Sequence, residues 1–375
     1  MPRASAWDPE RASGFLTQRA VLQEWCYQRP SSYMLVGPAR SMNYSTRKDL
    51  LRKWETARSC TALLYVTGDR PGLETQVHSE VLDFFAKHLD EIGTVRTISF
   101  FLHTRGGSTL AAWSLVNLIR QFTERLEIIV PAKAHSAGTL MCLGADSIMM
   151  TRQATLGPID PSVNGPLNPE IPGAPPQQRA PVSVEAINGY IAFAKDQAGL
   201  SSEDARLAVL RALFDRVHPL VLGDVYRSRT QIRMLGRRLI KRHLTDEDRI
   251  NKVLDFLCSE SGSHDYTIYR QEARDELGLR VERPDDVLYP IIRDIHRSYA
   301  DEMRFGTPLN PEALLADQPQ AKYSHVRALI ESVGAGSHRF VSEGTLSRQQ
   351  IQVAPGVMQP AVADARSFEG WRHET

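Results

Sequence analysis

The chain has 375 residues, 42% hydrophobic and 24% charged, a balance that suits a soluble globular protein with a large core and up to three domains. Its formal net charge of +1 offers nucleic acid or an anionic membrane no electrostatic hold, and no run approaches the roughly 18 apolar residues of a membrane span. Residues 1–10 are too polar for a secretory signal, and four widely spaced cysteines (Cys26, Cys60, Cys142, Cys258) match neither a zinc site nor a disulfide framework, so a cytoplasmic location is expected.

Residues 1–58 read as an N-terminal appendage, with a helical pattern over 14–28, a break at Pro30-Ser31-Ser32 and a charged amphipathic piece over 46–58. From Cys60 the pattern changes. Residues 61–66 are a short apolar run closed by Thr67-Gly68-Asp69-Arg70-Pro71-Gly72, a buried strand and its exit loop. Val77, Val81, Phe84, Phe85 and Leu89 then recur at helical spacing. A second strand over 98–102 ends in His103-Thr104-Arg105-Gly106-Gly107-Ser108, and Leu110, Trp113, Leu115, Leu118 and Ile119 predict the helix after it. A third strand over 126–130 leads to Ala134-His135-Ser136-Ala137-Gly138-Thr139, a helix over 137–144 and a fourth strand over 147–150. This alternation argues for an α/β fold with parallel strands, in which sites form outside the carboxyl ends of the strands. Both turns fall there. Residues 157–183 are crowded with proline and glycine and predict a long irregular loop. From Val184 to about Asp255 the pattern is mostly helical, and its basic stretch over 227–242 reads as a solvated helix face. The chain divides into the appendage 1–58, a catalytic core 59–280, and a C-terminal extension 281–375 whose last part is low in apolar residues and expected to be irregular.

The two turns carry the chemistry. A glycine pair in a strand-to-helix turn can aim backbone N–H groups at a developing negative charge, and a serine in the next such turn can present its hydroxyl to the same spot. Ser136 is thus a candidate nucleophile, with the N–H groups of Ala137 and Gly107 as oxyanion donors and the small residues Gly106 and Gly138 allowing close substrate approach. A helix N-cap is the competing role for Ser136. A base is harder to find. His135 is adjacent and points elsewhere, His103 ends a strand, and His218 precedes Pro219 with nothing in its spacing to commit it. Lys195 shares an apolar stripe with Ile187 and Ile191 at i, i+4 and i+8, where burial would depress its pKa as a neutral lysine base requires, while snorkelling to water is the alternative. Lys133, three residues before Ser136, is a second lysine to weigh. Asp160, between Ile159 and Pro161, suits a turn.

Ala134-His135-Ser136-Ala137-Gly138-Thr139-Leu140, Gly144-Ala145-Asp146-Ser147-Ile148-Met149-Met150 and Leu156-Gly157-Pro158-Ile159-Asp160-Pro161 resemble the serine dehydrogenase proteinase family, SppA-like relatives within the Clp-protease/crotonase superfamily. His103-Thr104-Arg105-Gly106-Gly107 is similar to that family's glycine turn, which usually has proline where Arg105 stands. The resemblance extends over about residues 60–340. It implies a Clp/crotonase-like α/β core of repeated ββα units with a mostly helical C-terminal extension, homo-oligomers, peptide or protein substrates, and no metal or cofactor. It also implies Ser136 as nucleophile, Gly107 and Ala137 as oxyanion donors, and a lysine base on a later helix, a place that Lys195 fits. Arg105, in place of the proline, is a candidate to meet a substrate carboxylate. A serine peptidase is the expected activity. Acyl-CoA hydration or thioester hydrolysis on the same fold, and an inactive oligomeric scaffold, are the rivals.

Overall fold

The computed structural model describes residues 43–374 apart from 160, 161, 176, 261, 262, 264 and 355. The pattern over 14–28, together with Cys26, Asp160 and Pro161, lies outside the described residues. In chain order the main elements are α1 (Tyr44–Arg58), β1 (Thr61–Thr67), α2 (Val81–Ile92), β2 (Val95–His103), α3 (Thr109–Arg120), β3 (Thr123–Val130), α4 (Ala137–Leu143) and β4 (Ser147–Met150). Four helices follow, α5 (Val184–Ala192), α6 (Glu203–Phe214), α7 (Pro219–Ile240) and α8 (Glu247–Asp255). The chain closes with β5 (Val281–Glu282), α9 (Leu288–Glu302), β6 (Gln320–Ser332), β7 (Gly336–Ala354) and β8 (Val357–Glu374).

One sheet runs β5-β4-β3-β2-β1-β6-β7-β8, parallel from β5 to β1 and antiparallel beyond. The carboxyl-terminal halves of its central strands are apolar because both faces are covered, while Ser99 and Glu127 sit buried further back and pair with each other. Leu63, Tyr65, Phe100, Leu102, Ile128 and Val130 face a layer holding α2, α3, α4 and α7. Leu64, Val66, Phe101 and Ile129 alternate with them and face α1 and α9. The expected α/β core is present, with the glycine and serine turns at the carboxyl ends of β2 and β3.

Two outer regions differ from expectation. Within 1–58, α1 is part of the core rather than an appendage. Leu51 and Trp54 are fully buried, and Trp54 meets Phe101 edge-on with centroids 5.0 Å apart. The helix looks solvated in sequence because it carries Arg47, whose charge is met inside the fold by Glu331 and Glu302. The extension is not helical or irregular at its end, since β6, β7 and β8 continue the main sheet. The outer parts of β7 and β8 pair with each other and expose both faces, so they need few apolar residues. Among the described residues, Cys60, Cys142 and Cys258 are unpaired, and no helix is long and apolar enough to cross a membrane.

Candidate active site

Ser136 stands immediately before α4 but does not cap it. Its hydroxyl makes no capping bond, and its backbone lies at φ 50°, ψ −112°, a conformation that non-glycine residues rarely hold. Strain of this kind at a serine is stored where the surroundings demand it. Gly138 N–H donates to His135 O (2.8 Å), closing the turn, and Thr139 Oγ1 locks it from behind, its one hydrogen within reach of Ala134 O (2.9 Å) and Gly157 O (2.8 Å) while the oxygen accepts from Gly157 N (3.0 Å).

The glycine turn is built against this one. Gly106 approaches so closely that an added Cβ would lie 2.7 Å from Ser136 Cβ and 3.2 Å from its Oγ. Thr104 Oγ1 accepts from Thr67 Oγ1 (2.8 Å) and from the Gly106 N–H (3.0 Å), so that amide is engaged. Val77 N–H donates to Gly106 O and Ser108 N–H donates to Val77 O, both at 2.8 Å, clamping the turn from outside. Between them the Gly107 N–H has no backbone partner among the described residues, and neither has that of Ala137. Gly107 has φ 138°, and a Cβ there would sit 2.5 Å from both Val77 N and Val77 O. Glycine is therefore required at 107 for conformation and for space.

Ser136 and Gly107 open on a cavity of about 400 Å³. Of the described residues lining it, Arg105 is the one that carries a charge; no histidine, lysine or carboxylate is among them. The candidate bases lie elsewhere. His135 Nε2 is held 2.8 Å from Thr155 Oγ1, with burial pushing its pKa down to about 4. His218 Nδ1 accepts from Leu220 N (3.2 Å) and caps α7. His103 is buried beside His296, Tyr299 and Phe305, in the layer toward α9. Lys133 is bound to Asp69, Nζ to Oδ2 at 2.7 Å. Lys195 lies in the π-helical segment Phe193–Gln197 that continues α5, and it is exposed. The expected stripe is covered only at its start: Ile187 packs partly buried against Val182, Val184 and Val221, whereas Ile191 is 43% exposed and the neighbouring Phe193 60%. The burial expected for Lys195 is thus absent from the single chain. Gly138 fits for want of room, since a Cβ there would meet Thr104 Cγ2 at 2.6 Å.

Thr104, Thr139 and Asp69 were not apparent from the sequence. Asp69, in the loop after β1, links both turns. It binds Lys133 on the approach to the serine and lies 3.7 Å from Arg105 Nη1 beside the glycines. Burial alone would raise its pKa, but His103 and Lys133 facing it bring it down to about 2. An unfolded aspartate titrates near 4, so the stabilisation is complete above about pH 4 and is lost as pH falls through about 2. Asp69→Asn should cost roughly 1–2 kcal/mol at neutral pH. Melting curves from pH 7 to pH 2 should show the gap to wild type closing on acidification, and a constant gap would dismiss the carboxylate as its source.

Residues 89–175 match the family model described as ClpP-like SDH-type serine proteinase. An uncharacterised protein of Methanocaldococcus jannaschii is 29% identical over 194 residues, 51% of this chain and 56% of its own, so the chain spans about half of that relative's length. A solved serine-to-alanine variant of the 1510-N membrane-bound stomatin-specific protease is 26% identical, with TM-score 0.24, over 36% of this chain and 63% of that one. A ClpP1 variant from Listeria monocytogenes is 15% identical, with TM-score 0.34, over 64% and 99%. The match to the ClpP-like SDH-type serine proteinase model thus falls on the segment that holds both turns, the same segment whose motifs carry the resemblance read from the sequence.

Proposed function

We propose that this chain is a cytoplasmic serine peptidase of Ser-Lys type that works as a homo-oligomer on peptide or protein substrates, without metal or cofactor. The observation that carries the reading is the strained Ser136, whose hydroxyl is spent on no cap and which lines the same cavity as Gly107, whose N–H has no backbone partner among the described residues. In the reaction, neutral Lys195 Nζ takes the Ser136 proton as Oγ bonds to the peptide carbonyl carbon. The Gly107 and Ala137 N–H groups hold the oxyanion. The ammonium of Lys195 then protonates the leaving amine as the C–N bond breaks. Water attacks the acyl group, giving its proton to Lys195, and the Oγ–C bond breaks with return of a proton to Ser136.

Two features support Lys195 in spite of its exposure. Ser162–Val163, at the rim of the cavity, pairs with Val182–Ser183, so α5 begins beside the pocket. The arm from α5 to the start of α7 exposes Tyr190, Ile191, Phe193, Leu207, Leu210 and Phe214, large apolar side chains of the kind that mark an interaction surface where they cluster. A second copy covering that stripe would bury Lys195 with it and remove the solvent that keeps an ammonium charged.

Intact-mass analysis after fluorophosphonate treatment tests the reading. Wild type should gain one adduct, Ser136→Ala none, and Lys195→Ala should react at least about a hundredfold more slowly, the scale of general-base loss. The wild-type rate per chain should also fall on dilution below the assembly range. An adduct that survives Lys195→Ala at the full rate moves the base elsewhere. No adduct on the assembled wild type favours the scaffold, whereas acyl-CoA turnover that survives Ser136→Ala favours the thioester chemistry.

A further inference from the structure

The cavity in front of Ser136 has a chemistry of its own. Three separate segments converge on it: Gln76 from the β1–α2 connection, Ser162 and Asn164 from the proline-rich loop, and Ser228 and Gln231 from α7. The last two are three residues apart and share a helix face. The core face of the same helix is apolar, with Val221, Val225, Leu235 and Leu239 buried, so Ser228 and Gln231 stand on its pocket edge. Among the described lining residues the large apolar side chains are Ile232 and Leu110.

We infer that this pocket selects an uncharged polar side chain, that of Asn, Gln, Ser or Thr, in the substrate residue beside the scissile bond. The inference rests on the peptidase reading of Ser136. Each amide and hydroxyl of the lining both donates and accepts, so a guest amide or hydroxyl finds a partner in any orientation. An apolar guest strips water from these groups and returns no hydrogen bond, which is the condition under which polar sites discriminate. A basic guest meets no carboxylate among the described lining residues, and it meets the guanidinium of Arg105 instead. An acidic guest gains little from Arg105, because Asp69 and Glu74 already stand 3.7 Å from its Nη1. With a volume of about 400 Å³ the cavity admits the longest of the proposed side chains, so hydrogen bonding and not size sets the preference.

The test uses the full chain and diphenyl phosphonate dipeptides that differ only in the side chain next to phosphorus: Gln, Asn, Leu or Lys. A fluorophosphonate without such a side chain serves as reference for each protein. The rate of Ser136 modification, read by intact mass and divided by the reference rate, should be about tenfold higher for the Gln and Asn probes than for Leu or Lys. In the Ser228→Ala/Gln231→Leu variant the Gln-to-Leu ratio should fall below about threefold. Equal or faster reaction with the Leu or Lys probe, or a ratio unchanged in the variant, overturns the assignment of polar specificity while leaving the nucleophile standing. No adduct even from the fluorophosphonate overturns the nucleophile, and the specificity falls with it.

Discussion

Gly107→Ala should lower kcat/KM for peptide hydrolysis by roughly two to three orders of magnitude, about 3–4 kcal/mol of transition-state stabilisation, with Ser136 untouched. The cause is positional. At φ 138° an alanine is strained, and its Cβ would be 2.5 Å from Val77 N and O, backbone atoms that cannot swing aside. Relief comes only if the turn backs away, breaking the bonds that Val77 makes with Gly106 and Ser108 and carrying the 107 N–H off the oxyanion position. The ground state needs that donor little, so KM should move less than kcat. Circular dichroism and melting should show a folded chain, because the turn lies beyond the carboxyl end of β2 and the core strands are unaffected. A rate within about threefold of wild type would remove the Gly107 amide from the oxyanion site.

The parts of this site that are legible in sequence are those made by neighbours along the chain. The three residues before His103 and the three before Pro131 are apolar without alternation, as strand ends covered on both faces must be, and they place both turns at one end of a parallel sheet. Gly106-Gly107 advertises a backbone that comes too close for a Cβ, and the structure supplies the atoms it approaches. What stays hidden depends on partners far away in sequence. Asp69 reads as a turn residue because nothing near it announces Lys133 or Arg105. Lys195 shows a different limit. Helical spacing identifies the stripe of Ile187, Ile191 and Lys195, but periodicity says only that one face is apolar, not which surface covers it, and within one chain the cover reaches Ile187 and leaves Ile191 and Lys195 exposed. The spacing of His218 commits it to no role, and its ring caps α7 through a local bond from Leu220 N.

Arg47 gives the largest expected effect on stability. Its side chain is fully buried and grips Glu331, Nε to Oε2 at 2.8 Å and Nη2 to Oε1 at 2.6 Å, while Nη1 reaches Glu302 at 2.5 Å and Ser298 Oγ at 3.2 Å. Burial works against the guanidinium's charge, but the two carboxylates overcome it and hold its pKa above the ordinary value. The pair joins α1 to β6, the strand beside β1, across 284 positions of sequence. Arg47→Met fills the space but leaves the Glu331 carboxylate buried with Ser337 Oγ as its remaining partner. An uncompensated buried charge of this kind costs about 3–5 kcal/mol, so the urea midpoint and the melting temperature should both drop sharply. Arg47→Lys should recover only part of the loss, because an ammonium cannot make the paired bonds of a guanidinium. The double variant Arg47→Met/Glu331→Gln removes both charges and should be more stable than Arg47→Met alone. Were the double variant the weaker of the two, the penalty would lie in the packing of α1 against Phe101 and not in the stranded carboxylate. If all three variants melted with wild type, α1 would be the dispensable appendage that its charged sequence suggests.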